Sequence, residues 1–336
     1  MTEGVAFSRC FRISFGTPTF HKEAYIIEGE INPPLLPTKS KVIDAVTIPS
    51  NAIKLSNLEE DGNSLRGFKW ELNTTRKPST DPKREEDSIL TMFNLDDESV
   101  EVLSQEGAVV RIEAGYGQTV KLIYSGDVEN VTPSRQGADM AYKVMCKDGL
   151  LDTKNTRVSI SYPPSVPASD VILDLANKFP SASVSVDVLY KLKDVRSFGG
   201  WQYQGELESV FNRVLYKHQL EYSRYNGKIT VKPKVIVQGD SVYKTLSTNN
   251  YVLNDDNMEV LVPILNNGQK KSAQKDTKRG VQVSCRLLND VTMDQFFTIK
   301  SNLFPKYNGT YKIVQITHNC SFPTGDWNTV LSGEPL

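Results

Sequence analysis

Apolar and polar residues alternate with a period of two in several parts of the chain, most clearly from Val109 to Val128. The apolar positions are Val110, Ile112 and Ala114 before a turn at Gly115, Tyr116 and Gly117, and Val120, Leu122 and Tyr124 after it. A period of two puts successive side chains on opposite faces of a strand. The segment therefore predicts an antiparallel hairpin with one buried and one solvated face.

A second segment, Phe297 to His318, has a related pattern near the end of the chain. Its alternating positions are Phe297 and Ile299 before a tight turn at Asn308 and Gly309, and Tyr311, Ile313 and Gln315 after it. Two interpretations remain open: two similar β domains in one chain, or two unrelated exposed hairpins.

Turn dipeptides support a largely antiparallel β structure. The pairs are Asp61-Gly62, Asp148-Gly149, Asn226-Gly227, Asn267-Gly268 and Asn308-Gly309. Asn-Gly and Asp-Gly accept the positive φ angles of hairpin turns. We expect residues 1–150 to form a first β domain. Within it, the charged segment 75–88 has two prolines and no apolar side chain, which predicts a projecting, mobile loop.

The composition changes after Tyr162, and helical spacing replaces the alternation. Ser169 is a candidate N-cap for a helix near 169–179, which Pro180 ends. A second helix near 205–218 has one apolar stripe, formed by Leu207, Val210, Phe211, Val214 and Leu215. A hairpin over 220–233 follows. We therefore predict a compact α/β insert over residues 151–240, and a return to strands in a last β domain over 241–336.

One loop in the last part of the chain is strongly polarised. Residues 266–280 hold five basic side chains and one acidic side chain. The basic loop 266–280 would suit contact with an anion such as DNA or an acidic partner surface. It is more typical of a solvated loop whose charges keep the protein in solution.

Overall composition restricts the class of protein. The chain has 336 residues, 39% of them hydrophobic and 24% charged, which suits two or three globular domains. The net charge of -1 gives no bulk attraction for nucleic acid, and no apolar run suits a membrane helix. The first residues show no secretory signal or transit peptide, so synthesis in the cytoplasm is expected.

Cysteine and histidine offer few candidate sites. Cys10, Cys146, Cys285 and Cys320 are far apart without CxxC spacing, which predicts reduced, buried thiols and no structural disulfide. His318 and Cys320 fall on one strand face and, with Cys285, form a candidate zinc site, although structural zinc normally takes four ligands. A Cys320–His318 peptidase pair is a weaker alternative.

The other candidates for chemistry have simpler explanations. His218 is expected at a helix end, where a cationic ring would suit the helix dipole, and His21 in a turn. The acidic clusters 59–61, 85–87 and 255–256 are most simply solvated, and Gly199-Gly200 lacks the strand-to-helix context of a phosphate loop. The sequence thus assigns no catalytic, cofactor-binding or metal-binding residue, and the protein is not expected to be an enzyme.

Four stretches, taken in order, resemble a known family. They are VVRIEAGYGQTVKLIYSGDVENVTPSRQGADMAYKVMCKDG, SDVILDLANKF, GELESVFNRVLYKHQLEYSRYNGKITVKPK and CRLLNDVTMDQFFTIKSNLFPKYNGTYKIVQITHNCSFPTGDWNTVLSG. Together they cover the chain from about Val109 to its end. The chain resembles the baseplate or tail hub proteins of bacteriophages, the group that includes late-control protein D. The first hundred residues and the length of loop 266–280 depart from the family pattern.

This resemblance implies a mainly β (α+β) fold with two tail-tube-like antiparallel β-barrels and a small α/β insert. It implies a homotrimer that joins the sixfold tail tube, or a distal tail protein, to a threefold central spike. Other partners would be the tape measure protein and further baseplate proteins, with DNA only passing through the lumen during ejection. The location would be the virion tail baseplate, after assembly in the host cytoplasm.

Two alternative functions stay open beside this hub. A tail-associated peptidoglycan hydrolase would need a carboxylate or Cys-His pair in a cleft, and the sequence does not single one out. The spike of a phage-like secretion system shares the hub fold. That class usually continues into a long β-helical needle, whereas this sequence ends at Leu336.

Overall fold

The structure is a computed structural model. It describes residues 8–17, 52–61, 68–77, 88–149, 156–179, 183–185, 195, 197–226, 228–234, 250–263, 280–293 and 295–335. His21, the dipeptide Asn267-Gly268, residues 78–87 of loop 75–88 and residues 266–279 of loop 266–280 lie outside these residues.

Strands dominate the described residues. The strands are β1 (Arg9–Gly16), β2 (Ile53–Ser56), β3 (Trp70–Arg76), β4 (Ser88–Phe93), β5 (Val109–Tyr116), β6 (Thr119–Gln136), β7 (Asp139–Lys147), β8 (Arg157–Tyr162), β9 (Ser183–Ser185), β10 (Trp201–Glu206), β11 (Leu220–Tyr225), β12 (Lys228–Pro233), β13 (Tyr251–Asn254), β14 (Met258–Pro263), β15 (Val281–Arg286), β16 (Phe296–Lys300), β17 (Gly309–Phe322) and β18 (Trp327–Pro335). The helices are α1 (Asp97–Leu103), α2 (Ala168–Ala176) and α3 (Leu207–Lys217). The prediction of a mainly β protein with antiparallel sheets is confirmed.

One sheet of 13 strands holds the two predicted hairpins. Its path runs β14-β15-β18-β17-β3-β4-β7-β6-β5-β1-β2, and β16 with β13 branches from β17. The branch arises because β17 is long: its first part pairs with β16, and its second part, from Ile316 to Phe322, pairs with β3. Strand β17 thus belongs to both halves of the sheet.

The hairpin predicted at Val109 to Val128 forms as β5 and β6, with a bulge that the alternation does not show. Ile112 pairs with Tyr124 and Glu113 pairs with Leu122, so Ile123 is the extra residue. Ile123 and Tyr124 are both fully buried, whereas Leu122 is only half-buried. The expectation that Val120, Leu122 and Tyr124 share the buried face is therefore wrong, because the extra residue shifts the alternation.

The second predicted hairpin forms as β16 and β17 in a regular register, and the bulge in β17 lies where this strand pairs with β18. The register shifts between Ile313 and Gln315, so that Ile316 rather than Gln315 is buried. Asn308 and Gly309 do not make the two-residue turn. They end a longer loop that includes a 3₁₀ helix from Pro305 to Tyr307.

Three groups of buried side chains form the cores. The first lies mainly inside β1 and β3 to β7 and also includes Cys320 and Trp327 of the last two strands. The second lies between β13 and β18, with Phe297 and Leu331 among its members. The third belongs to residues 158–231. The domain division at residues 150 and 240 stays a prediction.

Helices α2 and α3 and the β11–β12 hairpin form the third core. Leu207, Val210, Phe211, Val214 and Leu215 are the buried residues of α3, and they match the predicted stripe. Helix α2 begins at Ala168 with Pro167 as its N-cap, so the prediction that Ser169 caps it is wrong, and the Ser169 side chain is buried. No helix in the described part of the chain is long and apolar enough to cross a membrane.

Candidate functional site

A row of buried polar side chains crosses the large sheet where its two halves meet. It consists of Cys285, Thr329, His318, Thr74, Ser88 and Cys146, on strands β15, β18, β17, β3, β4 and β7. Residues paired in register point to the same face of a sheet, so these side chains are neighbours. We call this set the polar row. Each member is at most 1% exposed, so the row replaces apolar packing at the boundary between the two β cores.

His318 is at the centre of the polar row and is fully buried. Its Nδ1 shares a hydrogen bond of 3.0 Å with Thr329 Oγ1, and its Nε2 has no hydrogen-bond partner among the residues that the structure describes. Burial, together with the positive charge of Arg76, lowers the pKa of His318 from 6.5 to about 3. The ring is therefore neutral at physiological pH.

The cysteines of this region are thiols rather than thiolates. Burial raises the pKa of Cys285 and of Cys146 to about 12, and it also raises the pKa of Cys320. A thiolate is the form that attacks substrates, so these residues lack the electrostatic setting of a nucleophile. His318 and Cys320 do lie on one face, as predicted, but neither has the ionisation that a Cys-His peptidase pair needs.

The three residues of the candidate zinc site do not converge on a common point. In the strand register, Thr329 lies between Cys285 and His318. Cys285 Sγ donates to the Thr329 carbonyl oxygen at 3.3 Å. Within the described residues, no group of three or more His, Cys, Asp or Glu side chains is arranged to hold a metal ion.

A buried ionic cluster lies beside the polar row. Arg76 Nη1 is 3.4 Å from Asp148 Oδ2, and Arg224 Nε donates to Asp148 Oδ1 at 2.9 Å. The side chains of these three residues are at most 4% exposed. The Arg76 guanidinium also stacks on the Tyr124 ring, with 4.5 Å between Cζ and the ring centroid. Buried charges are tolerated only when they are paired, so this cluster fixes the relative positions of β3, β11 and the turn after β7.

The prediction of a loop over residues 75–88 is wrong at both ends of that segment. Thr75 and Arg76 end β3, and Ser88 begins β4, so both ends of the predicted loop are strand residues and two of them are buried. The sequence did contain a sign that the strand extends this far, because Arg76 follows Trp70, Leu72 and Thr74 at every second position on the buried face of β3. The charge of Arg76 obscured it.

The tip of the β11–β12 hairpin docks against the first β half. Asn226 Oδ1 accepts hydrogen bonds from Ser125 N at 2.8 Å and from Arg76 Nη2 at 3.3 Å. Asn226 has a φ of 52°, as expected for the predicted Asn-Gly turn. The sequence thus indicated the turn, but it gave no sign that the Asn226 side chain would join two parts of the protein.

The same hairpin contacts the second β half. Glu221 Oε1 of β11 lies 3.6 Å from Lys312 Nζ of β17 and 3.9 Å from Lys232 Nζ of β12. Glu221 and Lys232 are buried. The insert is therefore joined to both halves of the large sheet through charged contacts.

The remaining candidate residues have structural roles. His218 caps the C-terminus of α3, but burial and then the adjacent Lys217 lower its pKa, which disfavours the expected cationic ring. Asp61 ends a short 3₁₀ helix and binds Arg12 at 2.8 Å. Burial is the largest influence and acts to raise the pKa of Asp61, but the hydrogen bonds from Arg12 and Ser56 and the positive charges of Arg12 and Lys54 together outweigh it, so the net shift is downward. The Arg12–Asp61 pair thus joins the 3₁₀ helix to strand β1.

Comparison with known proteins gives matches in fold alone. No family model and no curated protein matches the sequence. The 43 kDa tail protein of prophage MuSo2 from Shewanella oneidensis is similar with a TM-score of 0.53, covering 80% of this chain and 93% of that chain at 9% identity. A chain of the Francisella PdpA-VgrG complex is similar with a TM-score of 0.55 at 11% identity, covering 99% of this chain and 59% of that chain.

A third similar structure belongs to a secretion system and is itself similar to phage tail proteins. The E. coli c3393 protein has a TM-score of 0.50 at 8% identity, covering 80% of this chain and 73% of that chain. It is described as a component of the type VI secretion system that is structurally similar to the T4 bacteriophage tail proteins gp27 and gp5. The chain thus has a fold found in phage tail proteins and in VgrG-related secretion proteins.

Proposed function

We propose that this protein is a structural hub of a phage tail baseplate. It would form a homotrimer that joins the sixfold tail tube, or a distal tail protein, to the threefold central spike. The observation that carries this proposal is the pair of β halves, each with its own core and each with a bulge in one antiparallel strand pair, within a fold like that of a prophage tail protein. We propose no enzymatic activity for it.

Symmetry explains why two similar β halves would be useful. A trimer with one binding surface per subunit offers three sites to a ring of six subunits. A trimer whose subunits each offer two similar surfaces presents six sites, so every tube subunit finds an equivalent contact. The opposite face keeps threefold symmetry and would seat a trimeric spike.

We further propose that each β half is a tube-like barrel. In the second half, neighbouring strands pair in the order β14, β15, β18, β17, β16 and β13. Strands β14 and β13 are thus at opposite ends of this six-strand path, yet only residues 255–257 separate them in the chain. Six flat strands would put those ends about 24 Å apart, whereas such a short connection reaches about 14 Å. The sheet must therefore curl. In the first half, Arg9 of β1 donates to the Ser321 carbonyl of β17 at 3.0 Å, which joins its distant strands.

These barrels would correspond to residues 1–150 and 241–336, with the α/β insert over 151–240 between them. The ring of barrels would enclose part of the channel for DNA and the tape measure protein. Other baseplate proteins would bind the outside. The protein would be made and assembled in the host cytoplasm and would then reside in the virion.

The test is deletion of the gene in a lysogen that produces particles. We expect tails that lack a joined tube and spike, and restoration by a plasmid copy of the gene. An Arg224→Met copy, which removes one side of the buried ionic cluster, should restore fewer complete tails than wild type. Normal tails in the deletion strain would overturn the proposal.

A second candidate function is the hub part of a phage-like secretion spike. The observation that favours it is the alignment of 99% of this chain with a chain of the PdpA-VgrG complex. Purification of the particles that contain the protein separates the two functions. A phage hub should cosediment with DNA-filled virions, whereas a secretion hub should cosediment with spike assemblies that carry no capsid.

A further inference from the structure

Large apolar side chains are exposed mainly on the second β half. Of the nine exposed in the described part of the chain, five lie between Val252 and Phe304. Leu303 is 73% exposed and Phe304 is 43% exposed, both in the loop that joins β16 to β17. Exposed apolar side chains that cluster in one region are typical of interaction surfaces. We call the loop over residues 301–308 the knob.

The knob is held in one conformation by a network of hydrogen bonds. Asp255, in the turn between β13 and β14, accepts from the Ser301 hydroxyl and from Asn302 N. Ser301 N donates to Asn308 Oδ1 at 2.7 Å, and Asn308 Nδ2 donates back to the Ser301 carbonyl at 3.1 Å. Phe304 N donates to Ser301 Oγ at 2.9 Å. The loop is therefore ordered before it binds anything, which lowers the entropic cost of association.

A second apolar surface lies on strand β14. Val260 and Val262 are 55% and 47% exposed and, being two residues apart, lie on the same face. Glu259 lies beside them as the bulged residue of the β14–β15 pair. We call these three residues the valine patch. Since the valine patch and the knob are both exposed, neither covers the other within one chain.

The charges around the two surfaces are complementary. Lys300 immediately precedes the knob and Lys306 lies within it, and both are exposed, whereas Glu259 is the exposed acidic residue of the valine patch. A projecting apolar pair with basic neighbours thus matches a flat apolar pair with an acidic neighbour. Complementary charges at the rim of a contact set its orientation and exclude wrong partners.

We propose that the knob of one copy packs on the valine patch of a second copy. Lys306 of one subunit then lies near Glu259 of the next. Because the two surfaces differ, the contact is head-to-tail, and such a contact closes into a ring when the rotation between copies allows it. This inference rests on the proposed trimeric hub and names the surfaces that hold the trimer together.

Sedimentation of the full chain over a range of concentrations tests the contact. We expect the wild type to form trimers, and the double variant Leu303→Ser, Phe304→Ser to need at least about tenfold more protein for the same trimer fraction. Phe198→Ser is the matched control, because Phe198 is a fully exposed aromatic residue of the insert. This control should sediment as wild type.

Charge exchange gives a test that does not depend on lost apolar area. Lys306→Glu and Glu259→Lys should each weaken the trimer, and the two together in one chain should restore it, because each subunit then meets the exchanged charge on its neighbour. A wild-type chain that stays monomeric, or trimers that are unaffected by the knob and charge variants, would overturn this inference. Neither result decides the hub function, which depends on tail assembly in the deletion strain.

Discussion

At the scale of single residues, His318 has the most direct effect on how the stability of the protein depends on pH. Its pKa is about 3 in the folded protein and has its ordinary value of 6.5 in the unfolded chain. Between these values the unfolded chain binds a proton that the native ring does not, so the free energy of unfolding falls as the pH is lowered. The maximum slope from this one group is about 1.4 kcal/mol per pH unit.

We therefore expect His318→Asn to flatten the pH dependence of stability. Between pH 7 and 5, the wild type should lose about 2 kcal/mol more than the variant, measured by urea unfolding. His218→Asn is the control, since His218 is less buried and should retain most of the wild-type slope. Parallel pH profiles for wild type and His318→Asn would contradict this account of the buried ring.

At Gly149 the backbone lies directly against the Arg224 side chain of the buried ionic cluster. It has a φ of 80°, and a Cβ there would lie 2.0 Å from Arg224 Cζ. We expect Gly149→Ala to cost about 3 to 5 kcal/mol, because the new methyl group breaks the buried Asp148–Arg224 pair. Gly137→Ala is the control: Gly137 has a φ of 64° but open space around it, so only the strain of about 1 to 2 kcal/mol applies. Equal losses in thermal unfolding would contradict a role for the ion pair.

At the scale of elements, the bulge in β6 decides which side chains support the first core. Ile123 is fully buried, whereas Val120, which the alternation places inside, is only half-buried. We expect Ile123→Ala to cost about 2 to 5 kcal/mol and Val120→Ala less than half as much, measured by chemical unfolding. The opposite order would show that the hairpin has the unbulged register.

At the scale of the whole molecule, the insert is joined to both β halves by charged contacts, and the knob and valine patch lie on the outside of the second half. This arrangement suits a rigid subunit that assembles through its surface. We expect negative-stain images of the concentrated protein, classified without imposed symmetry, to show threefold rings with six peripheral lobes and an open centre. Rings with three lobes would contradict the two-barrel subunit.

Much of the element structure could be predicted from the sequence, because it depends on local periodicity. The apolar stripe of α3 from Leu207 to Leu215 and the strands on either side of the Asn226-Gly227 turn are present as expected. The bulge in β6 opposite β5 and the bulge in β17 could not be predicted, since the extra residue in each is apolar and does not stand out in the sequence. Ile123 and Val314 are such residues.

The sequence by itself determined the mainly β class, the positions of the insert helices and the burial of the cysteines, because hydrophobic period and turn chemistry act over a few residues. Only the tertiary structure decided that Arg76 pairs with Asp148, and that Thr329 lies between His318 and Cys285. These contacts join strands far apart in the chain. Their partners are chosen by sheet register and by the cost of burying an unpaired charge, neither of which local sequence encodes.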